Sequence, residues 1–154
     1  MAQRAINSIE ELRSLVGQEV GVSDWLTLDQ SRINAFAEVT EDDQWIHVDT
    51  DRARTELPGG KTIAHGFLTL SLLSILLKDV VRVNVPFKNA VNYGLNRVRF
   101  PSPVPAGSEI RARCSLLSVE DFGGGIQLCW AISVELKDVS KPALVAEWVV
   151  RYYR

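Results

Sequence analysis

Asp42 and His47 stand five positions apart in Thr40-Glu41-Asp42-Asp43-Gln44-Trp45-Ile46-His47, so a carboxylate and one of two histidines share a short segment. The other histidine lies in Ile63-Ala64-His65-Gly66-Phe67, at the head of a long apolar run. Carboxylates and imidazoles move protons near neutrality, and an ordinary imidazole titrates near pH ~6.5. The first N–H groups of a helix have no intrahelical partner, so a helix starting near Gly66 offers free donors and the positive end of its dipole. Such a set can polarise a carbonyl while a nearby proton or water is moved. Glycine at 66 also lets a substrate come close to the backbone.

Each residue has a plainer reading when taken alone. Asp42 serves as a loop or cap carboxylate, and His47 as a histidine packed under Trp45. His65 fits a capping or packing role at the helix start better than catalysis. Ser71 and Ser74 read first as hydroxyls bonded to carbonyls one turn back, with substrate contact as the sharper alternative. Spacing and co-occurrence together favour chemistry, with Asp42 and His47 as the acid–base pair and Gly66 as the polarising donor.

The elements that would carry these residues follow from pattern. Ser8-Ile9-Glu10-Glu11 has the form of a capping box, predicting a short helix to about Val16 that stops at Gly17. Residues 18–25 read as a strand, and Thr27-Leu28-Asp29-Gln30 as the start of a second helix. Ile33, Phe36 and Ala37 form its core-facing stripe. That helix frays near Thr40 and delivers residues 42–47 onto a structured loop. Asp49 or Thr50 caps another short helix, and Pro58-Gly59-Gly60 breaks the chain. Residues 64–78 form a helix apolar nearly all round, hence buried and wrapped by a sheet.

The second half is strand-like, over residues 91–100, 109–119, 126–136 and 143–152. Its separators are Pro101 to Gly107, a hairpin at Gly123-Gly124-Gly125, and Ser140-Lys141-Pro142. Antiparallel strands after a central helix describe an α+β fold in one domain, residues 1–154. Arg97 and Arg99 share one strand face: a solvated face, or phosphate ligands for a substrate's carrier arm.

Composition narrows the partners. A net charge of −2 gives no footprint for nucleic acid. The apolar run from Phe67 is interrupted by Thr69, Ser71 and Ser74 and falls short of the ~20 residues of a membrane span. No leader pattern opens the chain, which points to a cytoplasmic location. Cys114 and Cys129 match no zinc spacing and read as free buried thiols, so neither a metal nor a redox cofactor is expected.

The segment ending at His47 resembles the hydratase motif of the MaoC-like family of R-specific enoyl-CoA hydratases, a pattern like Gly-Asp-x-Asn-Pro-Ile-His. Ala64-His65-Gly66-Phe67 is similar to that family's Ala-His-Gly-Met marker. Asn92-Tyr93-Gly94-Leu95-Asn96-Arg97-Val98-Arg99-Phe100-Pro101 looks like the following strand and turn, especially in the nodulation-protein-N-like branch. The resemblance covers about residues 18–153. Glu41 replaces the motif's Gly and Gln44-Trp45 its Asn-Pro, changes expected to give the loop a different path and to alter the pocket's shape while keeping the chemistry. The resemblance implies a hot-dog fold, a curved antiparallel sheet wrapped around a central apolar helix, and a homodimer with sheets joined edge to edge. It implies reversible hydration of a trans-2-enoyl thioester to the (R)-3-hydroxyacyl form, on CoA or acyl-carrier protein, with CoA present only as part of the substrate. Asp42 and His47 would then be catalytic, and Gly66, His65, Ser71 and Arg97 would bind substrate. A hot-dog thioesterase or a non-catalytic acyl-thioester-binding protein are the alternatives.

Overall fold

In the computed structural model, residues 2–154 are described. The order is β1 (Arg4–Ile6), α1 (Ile9–Ser14), β2 (Gln18–Val22), β3 (Leu26–Leu28), α2 (Gln30–Thr40), α3 (Trp45–Val48) and α4 (Thr50–Glu56). After a 3-10 turn at Pro58–Gly60 come α5 (Gly66–Ser71), α6 (Leu73–Val80) and β4 (Val81–Val83). Four long strands complete the chain: β5 (Asn89–Arg99), β6 (Ser108–Phe122), β7 (Gly125–Leu136) and β8 (Val139–Tyr153).

The main sheet runs β2-β6-β7-β8-β5, with β3 also on β6, and every pairing in it is antiparallel. Alternation along β6, β7 and β8 sends Ile110, Leu128, Trp130, Val134 and Leu144 into the core, each fully buried. They meet Leu68, Leu72, Leu73, Leu76, Leu77 and Val80 of the helix in one continuous apolar cluster. A curved antiparallel sheet thus packs around a central helix, as the α+β expectation required.

Local chemistry explains the boundaries. Ser8 Oγ accepts from Glu11 N–H at 3.0 Å, and Glu11 reaches back to Asn7 N–H at 2.9 Å. Asp29 caps α2 by accepting from Arg32 N–H, and Asp49 caps α4 by accepting from Arg52 N–H. The strand expected over 18–25 ends at Val22, and a further strand, β3, starts at Leu26. Between them Ser23 takes over the ladder, its N–H donating to Ala112 O and its Oγ accepting from Ala112 N–H. Residues 27 and 28 consequently belong to β3 and not to the second helix.

The central helix begins at Gly66 and tightens at Leu72, whose N–H is shared between Leu68 O and Thr69 O. Leu72 keeps right-handed helical angles, and Leu76 N–H donates to Leu72 O, so α5 and α6 form one helical rod. It is not buried all round. Phe67, Ser71, Ser74, Ile75 and Lys78 form an exposed stripe, because the sheet of one chain covers only one side of the rod.

The triple glycine is a hairpin as expected, with Gly123 and Gly124 between β6 and β7. A Cβ on Gly125 would lie 1.8 Å from Tyr152 O, so that strand start must be glycine. The last hairpin departs from expectation. Its turn is Lys137-Asp138, with Asp138 left-handed at φ 62, while Ser140-Lys141-Pro142 lies within β8 where the register slips. Proline lacks a ladder donor and is tolerated at such an irregularity. Among the described residues, no helix is long and apolar enough to cross a membrane.

Candidate active site

Three segments converge at the start of the central helix. The segment before it is pinned on two sides: Ile63 N–H donates to Ile46 O at 3.0 Å, and Ala64 N–H to Val104 O at 2.8 Å. Gln30 of α2 donates to His47 O at 2.8 Å and accepts from the Thr62 hydroxyl. Helix α2, the His47 turn and the approach to Gly66 are therefore fixed relative to one another by these hydrogen bonds.

The two imidazoles are buried, His47 at 7% and His65 at 2% exposure. They stack with ring centroids 3.8 Å apart and planes 23° apart, so His47 packs on His65. Trp45, the expected cover for His47, instead lies against the Arg52 guanidinium at 3.8 Å. His47 Nδ1 lies 2.6 Å from Ile63 O. A carbonyl only accepts, so Nδ1 carries the proton and Nε2 is left with its lone pair, the form of a general base. By the same reasoning His65 Nε2 donates to Asp42 O at 2.8 Å.

Asp42 is exposed on the loop after α2. Its carboxylate, His47 and His65 each place one side-chain atom within 4.8 Å of the others. That span is what one water molecule bridges with two ordinary hydrogen bonds. One nitrogen of each imidazole is held by a backbone carbonyl, which leaves the other nitrogen of each ring, with the Asp42 carboxylate, to meet a water or an ion.

The loop's path explains the unusual residues of the motif. Glu41 sits at φ 59, ψ 17, the left-handed conformation that glycine adopts most easily. Gln44 has φ −51 and ψ 136, the extended form favoured before proline, and Trp45 is the first residue of α3, where proline is favoured. Gly and Asn-Pro would thus suit this same backbone. The three substitutions therefore do not by themselves require a different loop path.

A cavity of about 350 Å³ opens beside His47, lined also by Ile63, Gly66, Thr69, Phe100 and Val104. A Cβ on Gly66 would stand 3.1 Å from the Phe100 ring, so glycine is what lets that ring lie over the helix start. The Thr69 hydroxyl is buried with no partner among the described residues, as is His65 Nδ1. Asp42, His47 and His65 are brought together, and His47 shares this cavity with Gly66. Ser71 and Arg97 lie elsewhere. Ser71 is exposed, donates to Phe67 O at 2.7 Å and lines a separate groove toward β5. Arg97 pairs in register with Glu147 on the outer face of the sheet, beside Arg113 and Ser133.

Thr69, Phe100 and Val104 were not singled out from sequence. Thr69 carried a usable signal, a polar residue one turn into an apolar helix and three after Gly66. Phe100 and Val104 arrive through strand pairing distant in sequence. The Ile63 carbonyl that sets the His47 tautomer belongs to the backbone and leaves no mark on residue type.

The surroundings of this corner agree with what the chain resembles. Over 150 residues it is 50% identical to 3-hydroxyacyl-thioester dehydratase Z of Mycobacterium tuberculosis, covering 97% of this chain and 98% of that one. It is 44% identical over 143 residues to Nodulation protein N of Rhizobium meliloti, covering 92% and 89%. The unliganded R-hydratase structure from Pseudomonas aeruginosa superposes with a TM-score of 0.70 at 23% identity, covering 90% of this chain and 82% of that one. The (R)-hydratase of A. caviae gives 0.67 at 22% identity, covering 87% and 96%. These superpositions establish the hot-dog fold. Residues 11–129 match the MaoC like domain, from α1 through the Asp42–His47 loop and the central helix into β7, and the chain belongs to that family.

Proposed function

We propose that the protein catalyses reversible hydration of trans-2-enoyl thioesters to (R)-3-hydroxyacyl thioesters, with CoA or acyl-carrier protein as the thiol carrier. The observation that carries this reading is the His47 tautomer: Nδ1 is held by Ile63 O, leaving Nε2 basic beside the Gly66 helix start. His47 takes a proton from water as its oxygen adds to C3, while Asp42 orients the same water. Charge developing on the thioester oxygen is met by the Gly66 N–H and the helix dipole. The proton removed from water is the one needed at C2, so the pair ends the turnover as it began. This chemistry draws on no metal or redox group, and CoA enters only as part of the substrate. Relatives named as a 3-hydroxyacyl-thioester dehydratase and as (R)-hydratases support the same reaction class.

The test is hydration of crotonyl-CoA and a medium-chain trans-2-enoyl-CoA, followed by enoyl absorbance with free thiol read in parallel. Loss of absorbance without thiol is expected. Thiol release would transfer the protein to the thioesterases, and silence with tight acyl-CoA binding would make it a binding protein.

The working form proposed is a homodimer joined along β5. Among the described residues that strand pairs with β8 alone, and the other edge of its eleven residues has no strand partner. Val91, Tyr93 and Leu95 on it are 41–57% exposed, and Phe67 of the helix stripe is 69% exposed. A long apolar edge of this kind is ordinarily covered, and a second copy would join the two sheets and shield both stripes. Sedimentation of the parent as a dimer, and of Leu95→Lys as a monomer, is the expected result; a parental monomer would refute it. A cytoplasmic setting suits the two free, buried thiols.

A further inference from the structure

We propose that His65 is a positioning residue that fixes the Asp42 loop against the His47 ring; this rests on the roles given above to Asp42 and His47. Its ring meets all three parts of the corner. The Nε2–H donates to Asp42 O at 2.8 Å, and the ring stacks on His47 at 3.8 Å. Phe36 of α2 packs against it at 4.9 Å and 58°.

The loop has little else to hold it. Helix α2 ends at Thr40, Glu41 turns left-handed, and Asp42 N–H reaches Thr40 Oγ1 only at 3.4 Å, long for a hydrogen bond. The short bond from His65 is thus the firm tie between Asp42 and the helix that carries Gly66. Asp42 must stand at a fixed distance from His47 if both are to hold one water, and errors of about 1 Å in such geometry cost rates heavily.

The buried nitrogen on the other side of the ring argues that packing is not the whole purpose. With Nε2 protonated, Nδ1 carries a bare lone pair, buried and without a partner among the described residues. A phenyl ring or a leucine would fill the same slot between Phe36 and His47 without stranding a polar atom. What those side chains lack is the donor to Asp42 O. A second proton on His65 would place a buried N–H at Nδ1 with nothing to receive it, so His65 holds geometry and does not shuttle protons.

His65→Phe keeps a ring in the slot and deletes the donor; His65→Gln deletes the ring and can place an N–H where Nε2 stood. We expect kcat for enoyl-CoA hydration to fall about tenfold or more in His65→Phe, with KM moved less than threefold, at the level of one lost charge-independent hydrogen bond plus misplacement. His65→Gln should recover much of that loss. In an Asp42→Asn background His65→Phe should cost little more, because the group it positions is already gone. Nitrogen NMR of the parent should show His65 as the Nε2–H tautomer with Nδ1 unprotonated.

Parental kcat in folded His65→Phe would overturn the proposal, as would equal losses in Phe and Gln variants or a loss that adds fully to Asp42→Asn. An Nδ1–H tautomer would overturn it without any variant. Near-parental turnover of Asp42→Asn would instead sink the reading of the site itself, and this proposal with it.

Discussion

The corner around His65 and the slab formed by β6, β7 and β8 obey opposite rules. In the slab each strand is paired along most of its length, and alternate side chains fill one core. The corner holds a left-handed glutamate, Glu41, and a hydroxyl and a ring nitrogen, of Thr69 and His65, both buried without partners among the described residues. The slab has one such polar orphan, Trp130 Nε1, on a side chain whose large apolar surface lies wholly in the core. Ordinary structure minimises such costs, so their concentration around Asp42 and His47 marks where the molecule gives up stability for reactivity. Substitutions in the two regions should therefore separate activity from stability.

The largest separation is expected at the acid–base pair. Asp42→Asn and His47→Ala should each lower kcat/KM by about 10²–10⁴-fold, the usual yield of a positioned acid or base. The melting temperature of Asp42→Asn, at an exposed loop position, should stay close to the parent's, while His47→Ala also removes a buried ring and should melt lower; rates near parental in both folded variants would erase the distinction. Trp130→Ala should do the reverse. Its side chain is fully buried at the middle strand, and its loss should destabilise by about 3–5 kcal/mol in denaturant titration. Turnover per folded molecule should change little; a selective loss of kcat would mean that the slab takes part in the chemistry.

The same division explains what the sequence revealed. The carboxylate, the imidazoles and the helix-opening glycine advertise themselves because chemistry restricts residue type, and the structure does bring Asp42, His47 and His65 together, with His47 sharing its cavity with Gly66. Alternation placed the four long strands well, although Val139–Tyr153 begins before Pro142 because Asp138 makes the left-handed turn that glycine usually signals. The expectations for Ser71 and Arg97 rest on residue type and on place within a helix or strand. Which face a side chain takes depends on register and on how much of the helix one sheet covers, and neither is written locally. The three-residue strands β1 and β4, which pair in parallel, are too short for any periodicity to register.

Glu41 offers a finer test of the corner. A non-glycine residue in left-handed backbone carries a cost of about 1 kcal/mol, so Glu41→Gly should stabilise the fold by up to that amount. Glu41 is exposed, with no side-chain hydrogen bond or ion pair among the described residues, and turnover should be retained. A loss of stability in chemical denaturation would show that the side chain, and not the turn, is what matters there.

The smallest effect concerns Thr69. Ser71, two residues later, bonds its hydroxyl to the carbonyl one turn back, the usual refuge of a helical hydroxyl, whereas Thr69 Oγ1 has no partner among the described residues. Thr69→Val keeps the shape and removes the stranded oxygen, so it should raise stability by about 0.5–1 kcal/mol. Such a gain, measured as a rise of a few degrees in Tm, would place Thr69 with Glu41 among the corner's costs. A fall of similar size would mean that the hydroxyl is satisfied in solution by an ordered water in the His47 cavity. The corner would then resemble the slab more closely than its protein contacts suggest, with the contrast narrowed to the left-handed turn and the His65 ring.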